Sequence, residues 1–293
     1  MMVTSRFFVG NHLFDIALAE PFKREEMLPS YRPFLTKQEG IPVFTLVADN
    51  SVALEAEGQE IGQFDCGGNN FGVYLLPQGG YHIKIHSGES ELCAMMQVQD
   101  GFRQCVVHIV TPERSLMAFG LNNAIMLAYA FATASAQTLL VHASVIRHAG
   151  LGYLFLGRSG TGKSTHSRLW LEHIAGSELM NDDNPVVRVQ DGQVWVFGSP
   201  WSGKTPCYKN ISAPVGGWLQ LRQAKQNVIH RQTVVESLAS LLPSISTMKW
   251  DKPMYANHCD TIGRIIRLCR LYHLDCLPDR DAALVSHGCM TAQ

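Results

Sequence analysis

The stretch LFLGRSGTGKSTHSRLW, residues 154–170, constrains this chain more than any other. Gly157, Gly162, Lys163 and Ser164 satisfy the spacing G-x-x-x-x-G-K-[ST], with a strand-like apolar run before it and a helix-like run after it. Glycines at these positions let successive backbone N–H groups converge on phosphate oxygens, and a helix starting near Lys163 adds the positive end of its dipole. The pattern assigns Gly157, Arg158, Ser159, Gly160, Thr161, Gly162, Lys163, Ser164 and Thr165 to nucleotide phosphates, with Lys163 on the terminal phosphates and the Ser164 hydroxyl on Mg²⁺. A serine-capped glycine turn without chemistry is the alternative, and the flanking strand and helix argue against it.

The rest of the composition excludes several classes. A chain of 293 residues that is 46% hydrophobic has room for one large or two modest cores. A formal net charge of −1 leaves no overall basic field to hold nucleic acid or an anionic membrane surface, so neither is expected as a partner. The eight cysteines contain no C-x-x-C, and the expectation is scattered buried thiols in a reducing cytoplasm. The first residues, MMVTSRFFVGNHLFD, lack the long apolar core of a secretory signal. The most apolar segment, residues 124–136, is too short to span a bilayer and reads as a buried helix.

Residues 41–112 carry short β-type runs broken by turn residues, such as FGVYLLPQGGYHIKIH. His82, His86 and His108 there read as strand or core histidines, because no metal-ligand spacing connects them. A helix is expected over 116–137, which sets the domains at 1–115, β-rich and of unassigned role, and 116–293, containing the loop. The segment VHASVIRHAGLGYLFLG then holds two β runs joined by Ala149, Gly150 and Gly152. So short a connection makes an antiparallel hairpin feeding the loop, unlike the helix-connected parallel strands of motor-type nucleotide hydrolases.

Downstream, ELMNDDNPVVRVQDGQVWVF places Asp182 and Asp183 ahead of a second hairpin turning at Asp191-Gly192. Beside a phosphate loop, one such carboxylate can bind Mg²⁺ while the other accepts a proton from an attacking hydroxyl. Strand alternation turns the two side chains to opposite faces, so one of them is expected at the reaction. An Asx-type surface turn is the other reading of N-D-D-N-P. His142, at the start of the loop-feeding hairpin, can tune or orient the base.

The series His142, Gly157 to Ser164, Asp182-Asp183 resembles the catalytic domain of bacterial HPr kinase/phosphorylase, and through it the nucleotide-binding half of ATP-dependent phosphoenolpyruvate carboxykinase. The resemblance covers about residues 138–205. It implies an α/β fold with the phosphate loop on a largely antiparallel or mixed sheet. It implies ATP and Mg²⁺ as cofactors, Lys163 polarising the β/γ-phosphates, and Ser164 with Asp183 as metal ligands. Asp183, with Asp182 and His142 beside it, would be the proton acceptor for a seryl or other hydroxyl. Thr165-His166 stands where that family has a glutamate after the loop serine, and the family's arginine-bearing glycine loop has no counterpart here. The metal and substrate side chains of the carboxykinases have no counterpart either, which argues against that activity.

GSPWSGKTPCYKN, residues 198–210, supplies Ser202, Gly203 and Lys204 as a loop to close over phosphates or receive the acceptor; a plain connection is the equal alternative. Arg264, Arg267 and Arg270 read as a solvated or interface face. The leading expectation is a phosphotransferase acting on a hydroxyl of a protein, peptide or small molecule, with a homo-oligomer left open. A nucleotide-binding scaffold without transfer and a simple ATP hydrolase are its rivals.

Overall fold

The computed structural model describes residues 1–56, 58–65, 69–88, 90–203 and 205–292. The chain forms two compact units, residues 1–133 with 249–251, and residues 134–248 with 252–292. The division falls after the long central helix, one element later than the 115/116 boundary expected from the sequence. That helix carries apolar residues on nearly every side, and it packs on the strands that precede it.

In the first unit the strands are β1 (Met2–Val9), β2 (His12–Ala19), β3 (Thr45–Ala48), β4 (Glu60–Asp65), β5 (Asn70–Leu75), β6 (Tyr81–Ser87), β7 (Glu91–Gln99) and β8 (Gln104–Ile109). They form a mixed sheet in the order β1-β2-β3-β8-β7-β6-β5-β4, with β3 parallel to both neighbours. A single helical turn, α1 (Arg24–Met27), and the helix α2 (Arg114–Ala132) complete it. The β1–β2 hairpin lies in the β-rich 1–115 region but ahead of the β-type runs read at 41–112, and Gly10 and Asn11, both at positive φ, mark its turn. On β6 Ile83 and Ile85 are fully buried, and His82 is buried too and meets Gln97 Nε2 at 3.0 Å. His86 and His108 bond the carbonyls of Asn70 and Val52. α2 is long and apolar enough to cross a membrane by length and composition, and 56% of its apolar window is buried. The helix ends at 132, with a 3₁₀ turn at 134–136, earlier than the sequence suggested.

The second unit is built on β9 (Thr138–Leu140), β10 (Ala143–His148), β11 (Leu151–Leu156), β12 (Glu178–Asp183), β13 (Val186–Gln190), β14 (Gln193–Phe197), β15 (Ser212–Gln223), β16 (Val228–Arg231) and β17 (Leu271–Cys276). Its helices are α3 (Lys163–His173), α4 (Val234–Leu241), α5 (Lys252–Leu268) and α6 (Arg280–Thr291). The strands run β12-β10-β11-β15-β14-β13-β9, and β17 pairs with β15 and β16. The two expected hairpins are present and antiparallel, turning at Ala149-Gly150 and Asp191-Gly192, all at positive φ. β11 then pairs in parallel with β15, and β15 with β17, so the sheet is mixed.

Both faces of this sheet are covered, which is why LGYLFL reads as a continuous apolar run. Leu154 and Leu156 face a core shared with Leu241, Ile262 and Ile265 of α4 and α5. Tyr153 and Phe155 face Leu169 and Trp170 of α3 and Ala282 and Ala283 of α6. Asp279 caps α6, its carboxylate accepting from Ala282 N–H, and the helix runs through Gly288 to Thr291. The seven described cysteines are free thiols, and Cys66 lies outside the described residues.

Candidate functional site

β11 delivers the chain into the glycine loop and α3 carries it away. Gly157, Gly160 and Gly162 have φ of 153°, 82° and 105°, values that side chains resist. At Gly157 the exclusion is also steric, since a Cβ would lie 2.5 Å from Thr161 Oγ1. The Thr161 hydroxyl donates to the Arg158 carbonyl and its N–H bonds the same oxygen, closing the turn. Gln223, at the end of β15, donates to the Gly160 carbonyl at 3.2 Å and ties the loop to the sheet. Gly162 precedes α3, and no side chain among the described residues caps this end, so its first N–H groups stay directed at the loop mouth.

Lys163 folds back across the loop. Its ammonium donates to the Gly157 carbonyl at 2.9 Å and to His142 Nε2 at 2.9 Å. His142 Nδ1 lies 3.0 Å from Asp183 Oδ1, and the other Asp183 oxygen accepts from Asn184 Nδ2 at 2.8 Å. An imidazole that accepts from an ammonium at Nε2 must carry its proton on Nδ1, so His142 donates to the carboxylate. Burial pushes the Lys163 ammonium below the ordinary lysine range, and Asp183 and Asp182 oppose that push.

Asp182 takes the other direction. It is 5% exposed, and its Oδ1 accepts from Ser164 Oγ at 2.9 Å. On β12 it stands opposite Ser144, whose hydroxyl lies 2.6 Å from Ser167 Oγ, so this face is the one that meets α3. The sequence reading joined Ser164 to Asp183; strand alternation instead turns Asp182 to the first turn of α3 and Asp183 to His142. Both carboxylates reach the loop mouth because its two sides are built by different elements, α3 on one and the β9–β10 connection on the other.

The 198–210 loop packs against this pair. Ser202 bridges Asp183 in antiparallel fashion, and Gly203 N–H donates to the Asp182 carbonyl at 2.6 Å. A Cβ on Gly203 would stand 3.0 Å from that carbonyl oxygen, a tight contact that favours glycine there. Lys204 lies outside the described residues. Asn181 and Asn184 were not singled out in the sequence, yet Asn181 Oδ1 accepts from Asp183 N–H and its Nδ2 donates to Ser199 Oγ at 3.0 Å. The signal was the symmetric N-D-D-N run, in which Asn184 braces the Asp183 carboxylate and Asn181 its backbone N–H. Arg158 and Ser159 stand exposed on the loop, and Thr165 is half-buried in the first turn of α3.

His166 takes no part in the mouth. It is buried against Phe155, and its Nε2 lies 2.9 Å from Ser286 Oγ, which also accepts from Trp170 Nε1. Desolvation lowers its pKa to about 4, making it a neutral core residue that pins α3 to α6. Arg264, of the arginine series, pairs with Asp260 on the outside of α5.

No family model matches the chain. No curated protein matches it either. Among solved structures, the Hpr(Ser) kinase/phosphatase from Coxiella burnetii aligns with 51% of this chain and 86% of its own length, at 11% identity and a TM-score of 0.32.

Proposed function

We propose that the second unit is an ATP- and Mg²⁺-dependent phosphotransferase that moves the γ-phosphoryl group to a hydroxyl of a protein, peptide or small molecule. The observation that carries this reading is the convergence of Lys163, Ser164, Asp182, Asp183 and His142 on one loop mouth. In this reading the loop N–H groups and Lys163 grip the phosphates. Ser164 and Asp182 are hard oxygen donors within 2.9 Å of each other, a pair suited to Mg²⁺, and they would hold the ion. When bound, Mg²⁺ supplies charge neutralisation at the β/γ-phosphate oxygens.

Asp183, oriented by His142 and Asn184, accepts the proton of the attacking hydroxyl. The hydroxyl oxygen forms the new bond to phosphorus as the bond to the β-phosphate oxygen breaks, leaving ADP. Positioning and charge neutralisation supply most of the acceleration. Ser202 and Gly203, seated on the Asp182-Asp183 backbone, form the wall beside which the acceptor would lie.

The test is incubation of the full chain with γ-labelled ATP and Mg²⁺, with cell lysate and a metabolite pool, beside Lys163→Ala. Label on a discrete acceptor, lost in the variant, supports the reading. Lysine-dependent release of free phosphate alone makes the protein a hydrolase, and lysine-dependent binding with neither outcome makes it a nucleotide-binding scaffold.

A further inference from the structure

Away from the loop, the end of β10 and the middle of α6 bring two histidines together. His148 Nε2 and His287 Nε2 are 3.3 Å apart, with ring centroids 5.0 Å apart and planes at 80°. Both residues are half-buried, so the pair is reachable from solvent. Trp170 of α3 packs edge-on against each, at 6.3 Å from His148 and 5.4 Å from His287.

Facing imidazole nitrogens can share either a proton or a metal ion. An N–H···N hydrogen bond at this nitrogen spacing sets the ring centres about 5.6 Å apart when it is collinear with both rings and closer when it is bent. A tetrahedral ion about 2.05 Å from each nitrogen sets the nitrogens about 3.3 Å apart and the centres about 5.2 Å apart. The observed 3.3 and 5.0 Å fit a bent hydrogen bond and a shared ion alike, so the two nitrogens already stand where an ion would need them.

We propose that His148 and His287 chelate a borderline first-row divalent ion, Zn²⁺, Ni²⁺ or Cu²⁺, with water completing the coordination. Among the described residues no group of three His, Cys, Asp or Glu side chains is placed to hold a metal, so this is a two-ligand, open site. Imidazole pairs select these ions and not Mg²⁺, which takes oxygen donors, so the site is chemically distinct from Ser164 and Asp182. Bound there, the ion links the tip of the β10–β11 hairpin to α6 and stabilises the folded state by mass action.

Trp170 supplies the readout. The full chain is titrated with Cu²⁺ and Ni²⁺ while tryptophan fluorescence is followed, and with Zn²⁺ by calorimetry and thermal melting. The variants are His148→Phe and His287→Phe, which keep an aromatic ring in each position, with Trp170→Phe and Ser164→Ala as controls. The expected result is one equivalent bound, a rise in Tm with Zn²⁺, and affinity about tenfold or more weaker in either histidine variant. Ser164→Ala should keep the site, and Trp170→Phe should lose the quenching but keep Zn²⁺ binding. Should a histidine variant fail to fold, the electron paramagnetic spectrum of Cu²⁺ on the unaltered chain decides, through coupling to two imidazole nitrogens. Binding unchanged in both histidine variants, or a Cu²⁺ spectrum without that coupling, overturns the proposal.

Discussion

His142 Nδ1 stands 3.0 Å from Asp183 Oδ1 while its Nε2 accepts from Lys163 at 2.9 Å, so one imidazole joins the carboxylate and the cation of the loop mouth. With both Asp183 oxygens engaged, the orientation of that carboxylate depends on His142 and Asn184 together. Replacing His142 with Ala should lower kcat by about 10²–10³ with a smaller change in KM for nucleotide, and Asn184→Ala should lower it less. Steady-state transfer kinetics with an identified acceptor check this, and equal kcat in His142→Ala removes the histidine from the mechanism.

Ser164 and Asp182 act as one unit in the proposed site, so their effects should not add. Ser164→Ala and Asp182→Asn should each raise the Mg²⁺ concentration needed for half-maximal turnover by about tenfold or more. The double variant should be little worse than either single one. Mg²⁺ titration at saturating ATP is the measurement, and additive losses would separate the two residues.

Gly157→Ala places a Cβ 2.5 Å from Thr161 Oγ1 at a φ of 153°. Strain of this kind costs about 1–3 kcal/mol, and the loop has no room to relax without moving Thr161. Nucleotide affinity should fall by about tenfold or more while the circular dichroism of the fold is retained. Gly176→Ala, strained in φ but sterically open, provides a comparison away from the loop.

His166 makes stability depend on pH. Its pKa falls from 6.5 to about 4 on folding, so the unfolded chain binds the extra proton first. Stability from this group is complete above about pH 6.5 and is lost as the pH falls toward 4, by about 3 kcal/mol in all. His287, also lowered by burial and by His148, adds in the same direction. Urea unfolding at pH 7 and pH 5 should show the loss, and His166→Phe should flatten it in part. A variant with the unaltered slope would assign the effect elsewhere.

Several features were legible in the sequence because local forces set them. Positive-φ turns at Ala149-Gly150 and Asp191-Gly192 specify two-residue hairpins within the segments they join. Gly157 to Ser164 encodes a strand, loop and helix in order, since the glycines are needed wherever that backbone path is taken. What lay beyond reach was decided by partners distant in the chain. Alternation says that Asp182 and Asp183 diverge, but only the pairing of β12 with β10, and the placing of α3 on one face, determines that Asp182 receives Ser164 and Asp183 receives His142. The parallel β11–β15–β17 pairing joins strands separated by whole helices, and no turn chemistry records it. His166 reads in sequence as a residue of the loop helix; burial under α6 makes it core. His148 and His287, 139 residues apart, are two ordinary histidines until the sheet and α6 close on Trp170. Sequence determined the backbone geometry of the loop because that cost is paid residue by residue, and tertiary structure decided which side chains share it because that depends on how the faces are packed.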